Sequence, residues 1–111
     1  MDKIIIKKSW IQQFPNKLGV YANIDFKKGD IVIVYQLKLL SLEEFKKLVV
    51  SEKKFVHTHK GKIYLYSIPE RYVNHSSHPN TYQDLERKCD VALCDIKKGE
   101  EITTNASQDD I

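Results

Sequence analysis

Apolar residues in this chain come in short runs separated by turn chemistry, the pattern of a protein built from many brief strands. Ile4-Ile5-Ile6 is the first such run and Val20-Tyr21-Ala22 the second. Phe14-Pro15-Asn16-Lys17 and Lys27-Lys28-Gly29-Asp30 have the composition of turns. Ile31-Val32-Ile33-Val34-Tyr35 is rich in β-branched residues and predicts the best strand. Weaker strands are expected from Ile63 to Tyr66, Thr81 to Leu85, Val91 to Cys94 and Ile102 to Thr104, with Ile68-Pro69-Glu70 as a break. One segment has a different period. Ser41 stands three positions before Glu44, a capping-box spacing, and Leu42, Phe45, Leu48 and Val49 follow at helical intervals. This predicts a single helix over about 41–50. His57, His59 and Gly61 read as a polar loop. The expectation is a β-rich domain, mainly β with one inserted helix, made of several short sheets.

An internal echo runs through this pattern. Asp25-Phe26-Lys27-Lys28-Gly29-Asp30 and Asp95-Ile96-Lys97-Lys98-Gly99-Glu100 share the form D-[FI]-K-K-G-[DE]. Each precedes strand-like residues, so two similar turns are expected, each feeding a strand. The glycines suit a positive φ and the lysines suit a wet surface.

At 111 residues the chain is expected to be a single domain over 1–111, long enough to bury a core without disulfides or metal. It is 41% hydrophobic and 30% charged, with a net charge of +3. That balance is globular and falls short of the basic excess of a dedicated nucleic-acid binder, so direct nucleic-acid contact is not expected. The paired lysines are scattered and read as solvated surface. Cys89 and Cys94 have no metal-ligand spacing and are expected to be reduced thiols in a cytoplasmic protein. No run is long enough for a membrane span, and Ile4-Ile5-Ile6 is too short for a signal peptide core.

The chemistry concentrates in residues 72–80, YVNHSSHPN. His75 and His78 are three apart, but Pro79 favours an extended His78 and no carboxylate or thiol is close in sequence, so no metal is expected. Ser76 or Ser77 beside His75 is a poor nucleophile and base, because such partners come from separate segments. The third reading is an irregular bend whose asparagines bond their own backbone and whose free amides and carbonyls suit a small polar ligand.

Arg71-Tyr72-Val73-Asn74-His75-Ser76-Ser77-His78-Pro79-Asn80 resembles the RFxNHSxxPN motif of SET-domain protein lysine methyltransferases. Gly19-Val20-Tyr21-Ala22 with the first KKG turn resembles that family's N-terminal GxGxxA segment, and Asp95 to Thr103 resembles its DIxxGEEIT segment. The three lie in family order over residues 17–106. The resemblance implies the SET fold, short sheets with a knot-like C-terminal crossing. It implies S-adenosylmethionine on one face and a lysine of a protein substrate entering from the other through a channel. The methyl group would pass by direct displacement, so alignment would do most of the work. By position, Asn74 and His75 would bind the cofactor, and Lys17, Leu18 and Gly19 would lie along its methionine part. The carbonyls of Arg71 and Val73 would point near the transferring methyl, Pro79 and Asn80 would shape the turn, and Ser77 and His78 would do little. Of Tyr64, Tyr66, Tyr72 and Tyr82, Tyr72 matches the motif aromatic and is the first choice to line the channel, since aromatic walls suit a lysine tip. Trp10 and Phe14 would pack.

Three positions depart from the family pattern. Lys17 replaces the leading glycine of GxG. Ala106 stands where the family carries a tyrosine beside the sulfonium, which admits a non-catalytic binding module as the alternative reading. Ser77 replaces a cysteine, and no cysteine cluster follows, so neither a pre-SET segment nor a zinc-binding closing segment is expected. The channel wall would then come from a second copy of the chain, from the substrate, or from nothing.

Overall fold

The computed structural model describes residues 2–9 and 18–105. In chain order the elements are β1 (Ile4–Lys8), β2 (Leu18–Ala22), β3 (Ile31–Val34), β4 (Lys38–Leu40), α1 (Leu42–Lys47), α2 (Val50–Lys53), β5 (Val56–His59) and β6 (Lys62–Leu65). A 3-10 turn (Glu70–Tyr72), β7 (Asn74–His75), β8 (Thr81–Asp84), β9 (Cys89–Ala92) and β10 (Glu101–Thr104) follow. The strands form three small sheets, in the orders β1-β2-β10-β7, β3-β9-β8 and β4-β6-β5. The expected β-rich architecture with a helical insertion is therefore observed. No described helix is long and apolar enough to cross a membrane.

Local chemistry explains most elements and three departures. Ser41 caps α1 as expected: its side chain accepts from the Glu44 amide at 3.1 Å and the Glu44 carboxylate accepts from the Ser41 amide at 3.0 Å. The hydrogen bond from the Ser41 amide first, and one from the Ser41 side chain second, hold the Glu44 carboxyl below its usual range. The expected single helix, however, breaks at Leu48 and Val49, whose backbones are extended (ψ 142 and 149). Successive β-branched Val49 and Val50 lose rotamer freedom in a helix, and Val49 and Val50 stay exposed. The expected loop at His57 and His59 is instead β5, paired with β6 through the two-residue turn Lys60-Gly61, both at positive φ. β4 also escaped the pattern, since three residues are too few to show a period. In β3 the register shifts between Ile31 and Ile33, a bulge that turns the successive Val32 and Ile33 both inward.

The two KKG turns form an interlocked pair. Phe26 and Ile96 bridge antiparallel, each amide donating to the other's carbonyl at 2.7 and 2.8 Å. Asp95 accepts from the Lys28 amide at 2.9 Å, and Asp25 accepts from the Lys98 amide at 2.8 Å. The Gly29 amide donates to Ala92 and the Gly99 amide to Ala22. Each turn thus seals the strand entering the other. Phe26 and Ile96 are buried in a core with Val20, Ala22, Val32, Ile33, Tyr35, Ala92 and Ile102. Each large side chain buried there contributes about 1.5–3 kcal/mol. The Tyr35 hydroxyl donates to buried Asp90, and burial first and the Asp90 charge second push that phenol far above its usual range.

β10 runs between β2, antiparallel, and β7, parallel. Asn80 holds it from the side. Its Nδ2 donates to the Glu101 carbonyl at 2.8 Å, and its Oδ1 accepts from the Thr103 amide at 2.8 Å. Buried Thr81 donates its hydroxyl to the Thr103 carbonyl at 2.7 Å. Replacing Asn80 by alanine leaves the two backbone groups unsatisfied, a loss of about 3 kcal/mol, and is expected to lower the melting temperature by more than about 10 °C. An unchanged melt would show that the clamp does not carry β10. Cys89 is buried in β9, and burial pushes its thiol up, whereas Cys94 is exposed. Ellman's reagent is therefore expected to titrate Cys94 in the native protein and Cys89 only after unfolding.

Candidate functional site

β2, β7 and β10 bring the separated motifs to one junction. Thr103 pairs with Asn74 and Thr104 with His75, and the Ser76 amide donates to the Thr104 carbonyl at 2.9 Å. The Asn74 side chain spans the gap to the neighbouring strands: its Nδ2 donates to the Leu18 carbonyl at 3.1 Å and to Glu101 Oε2 at 2.9 Å. Leu18, Gly19, Asn74 and His75 therefore share one site, with Leu18 and His75 exposed along it. Lys17 and Ala106 lie outside the described residues, as do Trp10 and Phe14.

Gly19 has close neighbours within its own chain. A Cβ on this residue would meet Glu101 Oε2 at 2.6 Å and the Ser9 Cβ at 3.0 Å. The missing side chain makes room for the Glu101 carboxylate, which also accepts from Ser9 Oγ at 2.7 and 2.9 Å. Glu101 lies inside the GEEIT string, yet nothing in the pattern distinguishes it from a surface acid. Ser9, 92 residues away, gives no signal at all.

The segment leading into the site is anchored from below. Glu70 is buried, and its Oε2 accepts from the amides of Gln36 at 2.9 Å and Ser67 at 3.0 Å. The Arg71 guanidinium reaches the inserted helices, donating to Glu52 at 3.0 Å and to the Tyr66 carbonyl at 2.9 Å, with Phe55 stacked beneath it at 4.3 Å. The Tyr72 ring meets Phe55 edge-on at 5.9 Å and packs with Val73 against the core. Of the other candidate tyrosines, Tyr82 is exposed. Tyr64 and Tyr66 line a cavity of about 10 Å³ with His57 and His59. That is room for about one water, far less than a lysine stem needs. Ser77 and His78 contact each other at 3.1 Å on the exposed outside of the bend.

Residues 17–105 match the family model of the SET domain. In structure the chain is similar to a putative histone methyltransferase of Plasmodium falciparum, with a TM-score of 0.71 and 22% identity over 95% of this chain and 93% of that one. It is similar to ctPRC2 in an autoinhibited conformation bound to S-adenosylmethionine, with a TM-score of 0.71 and 25% identity over 97% of this chain. It is likewise similar to a humanized mutant of the Chaetomium thermophilum Polycomb Repressive Complex 2 bound to an inhibitor, with a TM-score of 0.72 and 26% identity over 97% of this chain. In both complexes the match spans only 15% of the other chain. No curated protein matches the chain in sequence. The matched stretch takes in the three motifs and the junction that they form, and the chain belongs to the SET-domain family.

Proposed function

We propose that this chain binds S-adenosylmethionine at the β2–β7–β10 junction and methylates a lysine side chain of a protein substrate. The observation that carries the reading is the Asn74 carboxamide, held at the meeting of all three motif segments. Two acceptors, the Leu18 carbonyl and Glu101 Oε2, share its Nδ2, so its oxygen end is turned the other way. An acceptor-rich corner of this kind fits a ligand whose methionine part carries an ammonium and a sulfonium. The ctPRC2 relative bound to S-adenosylmethionine supports the same cofactor. When bound, the cofactor would supply an electron-poor methyl group.

The chain's own residues would bind and align. Asn74 and His75 would hold the cofactor from β7, with Leu18 and Gly19 along β2 and Lys17 preceding them in sequence. The Arg71 and Val73 carbonyls would face the reacting carbon as fixed dipoles, which act without reorganisation. The anchoring of Arg71 through Glu52, Tyr66 and Phe55 keeps that stretch rigid, as alignment requires. Tyr72 would act chiefly by packing under the same stretch, because its ring lies against Phe55 and the core.

Ala106 favours a second reading, a SET module that binds cofactor or a partner without turnover, because the family tyrosine is replaced there. Calorimetric titration of S-adenosylmethionine tests the first part. Binding is expected in the unaltered chain, with a loss of about tenfold or more in Asn74→Ala. Absence of binding at millimolar cofactor would refute the pocket. Turnover is then followed with labelled cofactor and mixed core histones. Ala106→Tyr is expected to raise the rate by on the order of 100-fold, the usual worth of one positioned polar group. Binding without transfer in either protein would select the module.

A further inference from the structure

Glu101 stands at the same junction, and its carboxylate is unusually provided for. It accepts from Ser9 Oγ through both oxygens and from Asn74 Nδ2 at 2.9 Å, and it occupies the space that the absent Gly19 side chain leaves. Its side chain makes these contacts from a half-buried position. Among the described residues the donors to the carboxylate are neutral, and no lysine or arginine forms an ion pair with it. A neutral side chain of the same shape would also fill the Gly19 cradle, so packing alone does not explain an acid here.

The orientation of Asn74 does explain it. A carboxamide presents a donor at one end and an acceptor at the other, and its neighbours decide which way round it sits. The Leu18 carbonyl already asks for the nitrogen at 3.1 Å. The Glu101 carboxylate asks for it too, and as an ionised group it can only accept. A glutamine at 101 could offer its own N–H and pull the oxygen of Asn74 around.

We propose that Glu101 is a positioning residue for cofactor binding, fixing which end of the Asn74 carboxamide faces the methionine part. This rests on the reading that Asn74 binds S-adenosylmethionine. With the nitrogen held by Glu101 and Leu18, the other end of the carboxamide is an oxygen, which suits the α-ammonium of the methionine part. With the amide reversed, an N–H would meet that ammonium.

The test is a double-mutant cycle on the full chain, read by calorimetry with S-adenosylmethionine and by thermal melting. Glu101→Gln is expected to fold and to weaken binding about tenfold. In the Asn74→Ala background the same change is expected to cost nothing further, because Glu101 acts through Asn74. The side-chain amide resonances of Asn74 in the free protein are expected to shift in Glu101→Gln. A folded Glu101→Gln that binds like the unaltered chain would overturn the proposal, as would losses that simply add. Glu101→Asp keeps the charge but draws it back by one methylene, and it is expected to show the same loss if the glutamine variant does not fold. Absence of binding by the unaltered chain would overturn the cofactor reading itself and this inference with it.

Discussion

A strand enclosed by other strands must find a partner for every backbone polar group it buries, and β10 meets that demand with partners from widely separated segments. β2 pairs one edge, β7 the other, and Asn80 and Thr81 reach in to satisfy Glu101 and Thr103. The candidate site is a by-product of this solution. Asn74 and His75 lie where they do because β7 is the parallel neighbour of β10, and Leu18 and Gly19 because β2 is the antiparallel one. A shift of β10 by one residue would turn its side chains to the opposite faces and separate Glu101 from Asn74 and Ser9.

The frame around β10 is built by reciprocity. The two KKG turns exchange backbone hydrogen bonds through Phe26 and Ile96, and each aspartate caps the other turn. The arrangement ties the start of β3 to β9 and the start of β10 to β2 with the same set of contacts. It places the apolar residue of each turn in the shared core, where it is withdrawn from water almost completely. The inserted helices attach more lightly. α1 buries none of its residues, and the link to the site runs chiefly through Glu52, Phe55 and the Arg71 guanidinium. The side chain of a motif arginine thus serves the scaffold, which leaves its backbone carbonyl available for chemistry.

Gly19 shows how one residue type can satisfy several explanations. A glycine beside a cofactor is read as room for a ligand to approach the backbone. Here the room is taken by a carboxylate from the same chain. A neighbour on β10 by itself requires the glycine, and only the folded chain shows that neighbour.

Much of the fold was legible in the residue pattern alone. Short apolar runs marked the positions of β1, β2, β3, β6, β8 and β10 and only half of β9, which spans Cys89–Ala92 and ends before Leu93 and Cys94; the Ser41 and Glu44 pair marked the start of α1, and the repeated turn announced itself by composition. These features depend on neighbours in sequence, so the sequence determined them. The motif residues around Asn74 were legible for the same reason, as a compact string. Tertiary structure decided the rest. β5 could not be seen because its partner is supplied by a hairpin with polar flanks, and β7 is a strand only through its contact with β10. Ser9, Glu101 and Gly19 meet across 92 positions of sequence because β1, β2 and β10 lie side by side. No local propensity encodes such a meeting; it exists once the buried strand has found its hydrogen-bond partners.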